Sequence, residues 1–102
     1  MECRNNTSLN RFEAVDAGEV VGWVDYEASP ETLTMTHTIV PSQFSGRGIG
    51  KVLAEYAVGY AAEHGWAVVP ECTFIRAYIA KNPQFMTLVP DDKRHELFPD
   101  ES

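Results

Sequence analysis

Partway along the chain the spacing of apolar residues changes period, and the change happens at a loop with three glycines in five residues. Upstream of Pro41 apolar and polar residues alternate, as along strands; from Ile49 apolar residues recur every three or four positions, as along a helix. Between the two regimes lies Gln43-Phe44-Ser45-Gly46-Arg47-Gly48-Ile49-Gly50-Lys51. A fold for this chain must deliver a strand into a glycine-rich turn and leave it through a helix start. Glycines let the backbone turn sharply and approach a ligand closely. A helix start adds free N–H groups at its positive end, which suit an anion.

The flanking elements follow from the same reading. Residues 1–9 are polar and predict a flexible N-terminus. From Asn10, Phe12, Ala14 and Asp16 alternate with Arg11, Glu13 and Val15 as a first strand, and Ala17-Gly18 supplies a tight turn. Glu19–Glu27 is a second strand, rich in β-branched and aromatic residues. After Ser29-Pro30-Glu31, Thr32–Val40 is a third, with Leu33, Met35, His37 and Ile39 expected on one face. The helix presents Ile49, Val52, Leu53, Tyr56, Ala57, Tyr60 and Ala61, with Gly65 as its C-terminal cap. Trp66–Val69 reads as a short buried strand, and a second helix is expected over Thr73–Lys81, stopping before Asn82-Pro83. Residues 91–102 carry five acids without apolar periodicity and read as an acidic tail. The fold class is α+β, with a mixed sheet in β-β-β-α-β-α order: an antiparallel meander, then a crossover through the helix to a parallel strand. Residues 10–90 form one domain.

Composition narrows the function. With 102 residues, 44% of them hydrophobic, the chain can hold one core without metal or disulfide staples. A formal net charge of −7 argues against nucleic acid, which needs a basic face, and against an anionic membrane surface. It is compatible with a basic substrate, or simply with solubility. No segment approaches the roughly 20 apolar residues of a membrane-spanning helix. Residues 1–8 have no apolar core of the signal-peptide kind, so the two overlapping sequons at Asn5 and Asn6 read as accidents. Two cysteines make no disulfide framework, and no Cys/His spacing fits a metal. A reducing, cytoplasmic setting is expected.

Two common phosphate loops fail the test of spacing. A P-loop needs Gly five residues before Gly-Lys and a hydroxyl after it; here those positions are Ser45 and Val52. The dinucleotide fingerprint needs G-x-G-x-x-G, whereas this loop is G-x-G-x-G and follows an antiparallel meander. Gln43-Phe44-Ser45-Gly46-Arg47-Gly48 instead resembles the pyrophosphate loop of the GNAT N-acetyltransferase superfamily, with its Q/R-x-x-G-x-G/A pattern. The likeness extends to the compact single-domain GNAT-like family. Its H-T-x-V-P, G-x-G-I-G, P-x-C-x-F-I and N-P segments are present in order, as His37–Pro41, Gly46–Gly50, Pro70–Ile75 and Asn82-Pro83.

That resemblance implies a minimal GNAT fold, an N-acetyltransferase activity and acetyl-CoA as cofactor. It places the pyrophosphate on the amides of Gly46, Arg47, Gly48, Ile49, Gly50 and Lys51 beside Gln43, with Arg47 or Lys51 adding charge unless both are merely solvated. The pantetheine arm would pair with the backbone of Ile39 and Val40, where the third and fourth strands splay. The acceptor implied is a small-molecule or peptide amine, and the expected state a monomer or weak homodimer. With only about nine residues before the first strand, the helical pair that walls the acceptor pocket in larger GNAT enzymes is expected to be missing, the acceptor site then being open, supplied by a partner, or absent. A non-catalytic CoA-binding module is the alternative.

Acetyl transfer needs an unprotonated amine, donors for an oxyanion and a proton for the departing thiolate. His37 has the ring chemistry to take a proton near neutrality, or it is a hydrogen-bonded core residue. Cys72, near a helix start, is either a reactive thiol or a small buried hydrophobe; the resemblance to the compact family implies that it is a candidate acetyl acceptor. Tyr78 matches loosely the tyrosine that protonates the thiolate in many GNAT enzymes, or it packs. Asn82 either reaches the pantetheine or caps its helix, and Glu71 either draws a cation or favours the helix start.

Overall fold

The computed structural model describes residues 1–99. Four antiparallel strands run consecutively: β1 (Glu2–Asn6), β2 (Arg11–Asp16), β3 (Glu19–Ser29) and β4 (Thr32–Ile39). Helix α1 (Ile49–His64) then carries the chain to β5 (Ala67–Pro70), which pairs in parallel with β4. The sheet order is β1-β2-β3-β4-β5, the mixed sheet expected with one strand more. Helix α2 (Thr73–Lys81), a 3₁₀ segment (Pro83–Leu88) and helix α3 (Asp91–Leu97) complete the described chain.

The extra strand corrects the reading of residues 1–9 as flexible. β1 lacks apolar alternation because its polar side chains find partners on β2 and β3. Arg4 and Asn6 reach Glu13, and the Tyr26 hydroxyl donates to Asn5 Oδ1 at 2.6 Å. At the other end, residues 91–97 of the expected tail form α3, and Phe98 is buried in the core; residues 100–102 lie outside the described residues. Asp91 and Asp92 sit in the first turn of α3 and Arg94 and His95 in the last, which suits the helix dipole. Seven residues are too few to display a helical period.

One core joins sheet and helices. Phe12, Val24, Leu33 and Met35 from the strands meet Leu53, Ala57 and Ala61 from α1 and Ile75 and Ile79 from α2, all buried. The seat of α1 on the sheet is fixed at Gly22. A Cβ there would come within 2.9 Å of Ile49 Cγ2 and 3.1 Å of Leu53 Cδ1, so the bare backbone lets the first turn of α1 lie directly on β3. Gly65 ends α1 in the left-handed conformation at φ 69°, its N–H closing the last turn.

β4 contains the irregularity that matters most for the site. Asp25 pairs with His37 but Tyr26 pairs with Met35, so Thr36 is an extra residue, a β-bulge. The bulge reverses the alternation. Leu33 and Met35 face the core, whereas His37 and Ile39 are exposed, Ile39 at 38%. The four residues expected on one face therefore divide between two.

Candidate functional site

The loop between β4 and α1 is anchored at two points. Phe44 is buried in the core, and the Ser45 hydroxyl donates to the Ser42 carbonyl at 2.8 Å. Gly46 and Gly48 then adopt φ of 80° and 73°, and a Cβ at either position would meet nothing within 4 Å. That backbone region disfavours side chains, and the space above it is open. Gly48 is the N-cap of α1 with no side-chain cap, and the first intrahelical bond is Val52 N–H to Gly48 O at 3.2 Å. The first-turn amides ahead of it have no acceptor in the helix. The third glycine answers to another constraint. Gly50 lies against the ring of Phe74 on α2, where a Cβ would come within 2.8 Å.

Side chains around the loop divide. Ile49 is buried and holds the helix start to the sheet. Gln43 is exposed in a single 3₁₀ turn (Ser42–Phe44). Arg47 lies 5.5 Å over the Phe44 ring and 3.9 Å from Asp16, an exposed and weak ion pair. Lys51 points into a cleft of about 530 Å³ between α1 and α2, which Glu55, Phe74, Tyr78, Lys81 and Asn82 also line. Burial, and secondarily the charge of Glu55, raises the Tyr78 hydroxyl above its ordinary range, so it keeps its proton. Tyr78 also stacks on Phe85 at 6.0 Å. Asn82 caps α2 from its side chain, Nδ2 donating to the Tyr78 carbonyl at 2.9 Å, while still lining the cleft.

Between β4 and α2 the sheet opens. β5 pairs with β4 only from Thr32 to Met35, and β4 continues to Ile39 with β3 alone beside it. Cys72 sits at the mouth of this gap as the N-cap of α2, buried, its N–H donating to the Met35 carbonyl at 2.9 Å. Its sulfur is 3.1 Å from Thr38 Oγ1. Thr38 is the residue that sequence reasoning missed. Strict alternation puts it on the face away from Met35, and only the bulge brings it to the sulfur.

His37 does not join this group. It stands exposed on the opposite face of β4, its Nδ1 3.2 Å from the Thr36 hydroxyl, in register with Asp25. That face also carries Glu13, whose side chain is 1% exposed under Arg4 and Arg11. Oε1 accepts from Arg4 Nε at 2.8 Å, and Oε2 accepts from Arg11 Nε at 2.7 Å and Asn6 Nδ2 at 3.1 Å. Burial pushes this carboxyl up, but the three donors outweigh it and hold the group below the usual carboxylate range. Arg11 in turn covers the Trp23 ring at 4.6 Å. Among the described residues no cluster of ligating side chains suits a metal, and no helix is long and apolar enough to cross a membrane.

Comparison with known proteins bears on the family and the fold. The family model described as GCN5-related N-acetyl-transferase matches residues 11–88. Protein NATD1 of Xenopus tropicalis is 38% identical over 53 residues, covering 52% of this chain and 49% of that protein. Protein NATD1 of Homo sapiens is 37% identical over 49 residues, covering 48% and 43%. The chain thus spans about half the length of the curated relatives it matches. The NMR solution structure of a GCN5-like protein from Staphylococcus aureus superposes with a TM-score of 0.63 at 21% identity, covering 87% of each chain, a likeness of fold.

Proposed function

The chain belongs to the GCN5-related N-acetyltransferase family, and on that premise we propose that it transfers an acetyl group from acetyl-CoA to an amine acceptor, in a cytoplasmic setting. The carrying observation is the loop of Gly46 and Gly48, left-handed at both glycines, open above and continuous with the uncapped first turn of α1. Such a cradle fits a pyrophosphate, because backbone N–H groups at a helix start bind anions without bulk positive charge. With a net charge of −7 the chain has no bulk positive charge to offer in its place. Lys51 and Lys81 line the adjoining cleft and would add charge toward the nucleotide end. The unpaired edge of β4 toward Ile39 and Val40 is open to an extended amide-bearing arm.

When bound, acetyl-CoA supplies an activated thioester; the chain supplies position and protons. Cys72, in the gap between β4 and α2, would accept the acetyl group as the S–C bond to CoA breaks, the thiol proton it loses making good the one a departing thiolate takes. The amine would then displace the acetyl and return a proton to the sulfur. Tyr78 keeps its proton and can give it to a departing thiolate. His37 lies across β4 from Cys72 and stands outside this route.

Titration calorimetry with acetyl-CoA, followed by intact mass after incubation, tests this reading. We expect binding that free CoA competes away, and a mass gain of one acetyl group lost in Cys72→Ala. Absence of heat overturns the acetyl-CoA reading. Binding without acetylation, and without thiol release over an amine panel, leaves a CoA-binding module in its place.

A further inference from the structure

We propose that Thr38 is a positioning residue for Cys72, its hydroxyl holding the sulfur in the gap between β4 and α2 and donating a hydrogen bond to the thiolate. The inference rests on the reading of Cys72 as the acetyl acceptor and gives a role to the threonine of the H-T-x-V-P segment, which strand periodicity puts on the wrong face. Three independent features converge on the pair. Oγ1 and Sγ are 3.1 Å apart in a part-buried setting. The backbone of Cys72 is tied to the same strand, N–H to Met35 O at 2.9 Å. The bulge at Thr36 gives the residue after His37 the orientation that meets the sulfur. β-Bulges beside functional sites re-aim side chains in this way.

The chemistry of the pair fixes its direction. A thiol can donate to Oγ1, but a thiolate carries no proton and only accepts. The contact therefore survives ionisation only with the hydroxyl as donor, as a charge-assisted bond. Threonine is stiff at χ1, so the backbone of β4 determines where the hydroxyl lies. A methyl-for-hydroxyl exchange keeps the shape and removes only the donor.

Alkylation of Cys72 by iodoacetamide, followed by intact mass against pH in a Cys3→Ser background, provides the test. In Thr38→Val we expect the rate at neutral pH to fall about tenfold, the size of a hydrogen bond to a charged group. Thr38→Ser should restore the wild-type profile. If valine perturbs the melting curve, Thr38→Ala replaces it in the same assay. A profile unchanged on loss of the hydroxyl overturns the proposal, as does a serine variant as slow as valine. Failure of wild-type Cys72 to take an acetyl group removes the acetyl-acceptor reading without altering the alkylation profiles, so the two ideas fall separately.

Discussion

The start of α1 and the open face around Glu13 use polar groups in opposite ways. At the helix start, first-turn amides precede the first intrahelical acceptor, no side chain caps them, and two glycines leave open space above. Around Glu13, one carboxylate is saturated by three side-chain donors and covered by two arginines. A region that holds β1 to the sheet satisfies its polar groups internally. A region that receives a ligand keeps donors in reserve. The comparison separates a buried charge that fastens strands from an exposed loop with donors to spare.

The sharpest way to break the comparison is to fill the loop. Gly48→Glu places a carboxylate in the proposed phosphate path and should weaken CoA binding by at least about a hundredfold, about 2.7 kcal/mol by calorimetry. Because Gly48 has φ 73°, any side chain adds about 1 kcal/mol of backbone strain, and Gly48→Ala measures that share alone. Equal loss in both variants would mean that conformation, rather than the donors, governs affinity.

The saturated region answers to stability. Glu13→Gln replaces the shared acceptor with a side chain whose amide opposes the arginine donors, and should destabilise the fold by about 2 kcal/mol in urea unfolding. The loss is kept to that size because Arg4 is 59% exposed and can return to water. The pH dependence has a definite sign. The folded-state carboxyl sits below its unfolded value, so its contribution is fully present above the unfolded carboxylate range and lost as pH falls through the folded value. The gap between wild type and Glu13→Gln should therefore close on acidification, while CoA affinity at neutral pH stays unchanged. A gap independent of pH would remove the charged clamp from the account.

The two regions also differed in how far the sequence betrayed them. The loop was legible because glycines mark special backbone, and α1 and α2 because their apolar periods run for two turns or more. β1 was not, since Arg4, Asn5 and Asn6 are polar for reasons that lie on other strands. α3 was too short for a period. The pairing of Thr38 with Cys72 depends on one extra residue in β4, and a bulge leaves no mark on composition. His37 was misplaced by the same residue, which is why a histidine read beside Met35 lies on the far face.

Smaller changes sharpen the distinction between kinds of glycine. Gly50→Ala crowds the Phe74 ring at 2.8 Å, yet that ring is 45% exposed and can swing away. The expected loss is about 1 kcal/mol of stability by thermal melting, with CoA affinity changed less than in Gly48→Ala.

Gly59 completes the series. It lies inside α1 without a positive φ, and a Cβ there would meet nothing within 4 Å. By open space alone it looks like Gly46 and Gly48; by conformation it does not. Glycine in a helix interior is less favourable than alanine by about 0.8–1.0 kcal/mol, so Gly59→Ala should raise stability by about that amount and leave CoA binding untouched. A drop in affinity with no gain in melting temperature would show that open space at a glycine, and not the left-handed turn with its free amides, is what the ligand needs.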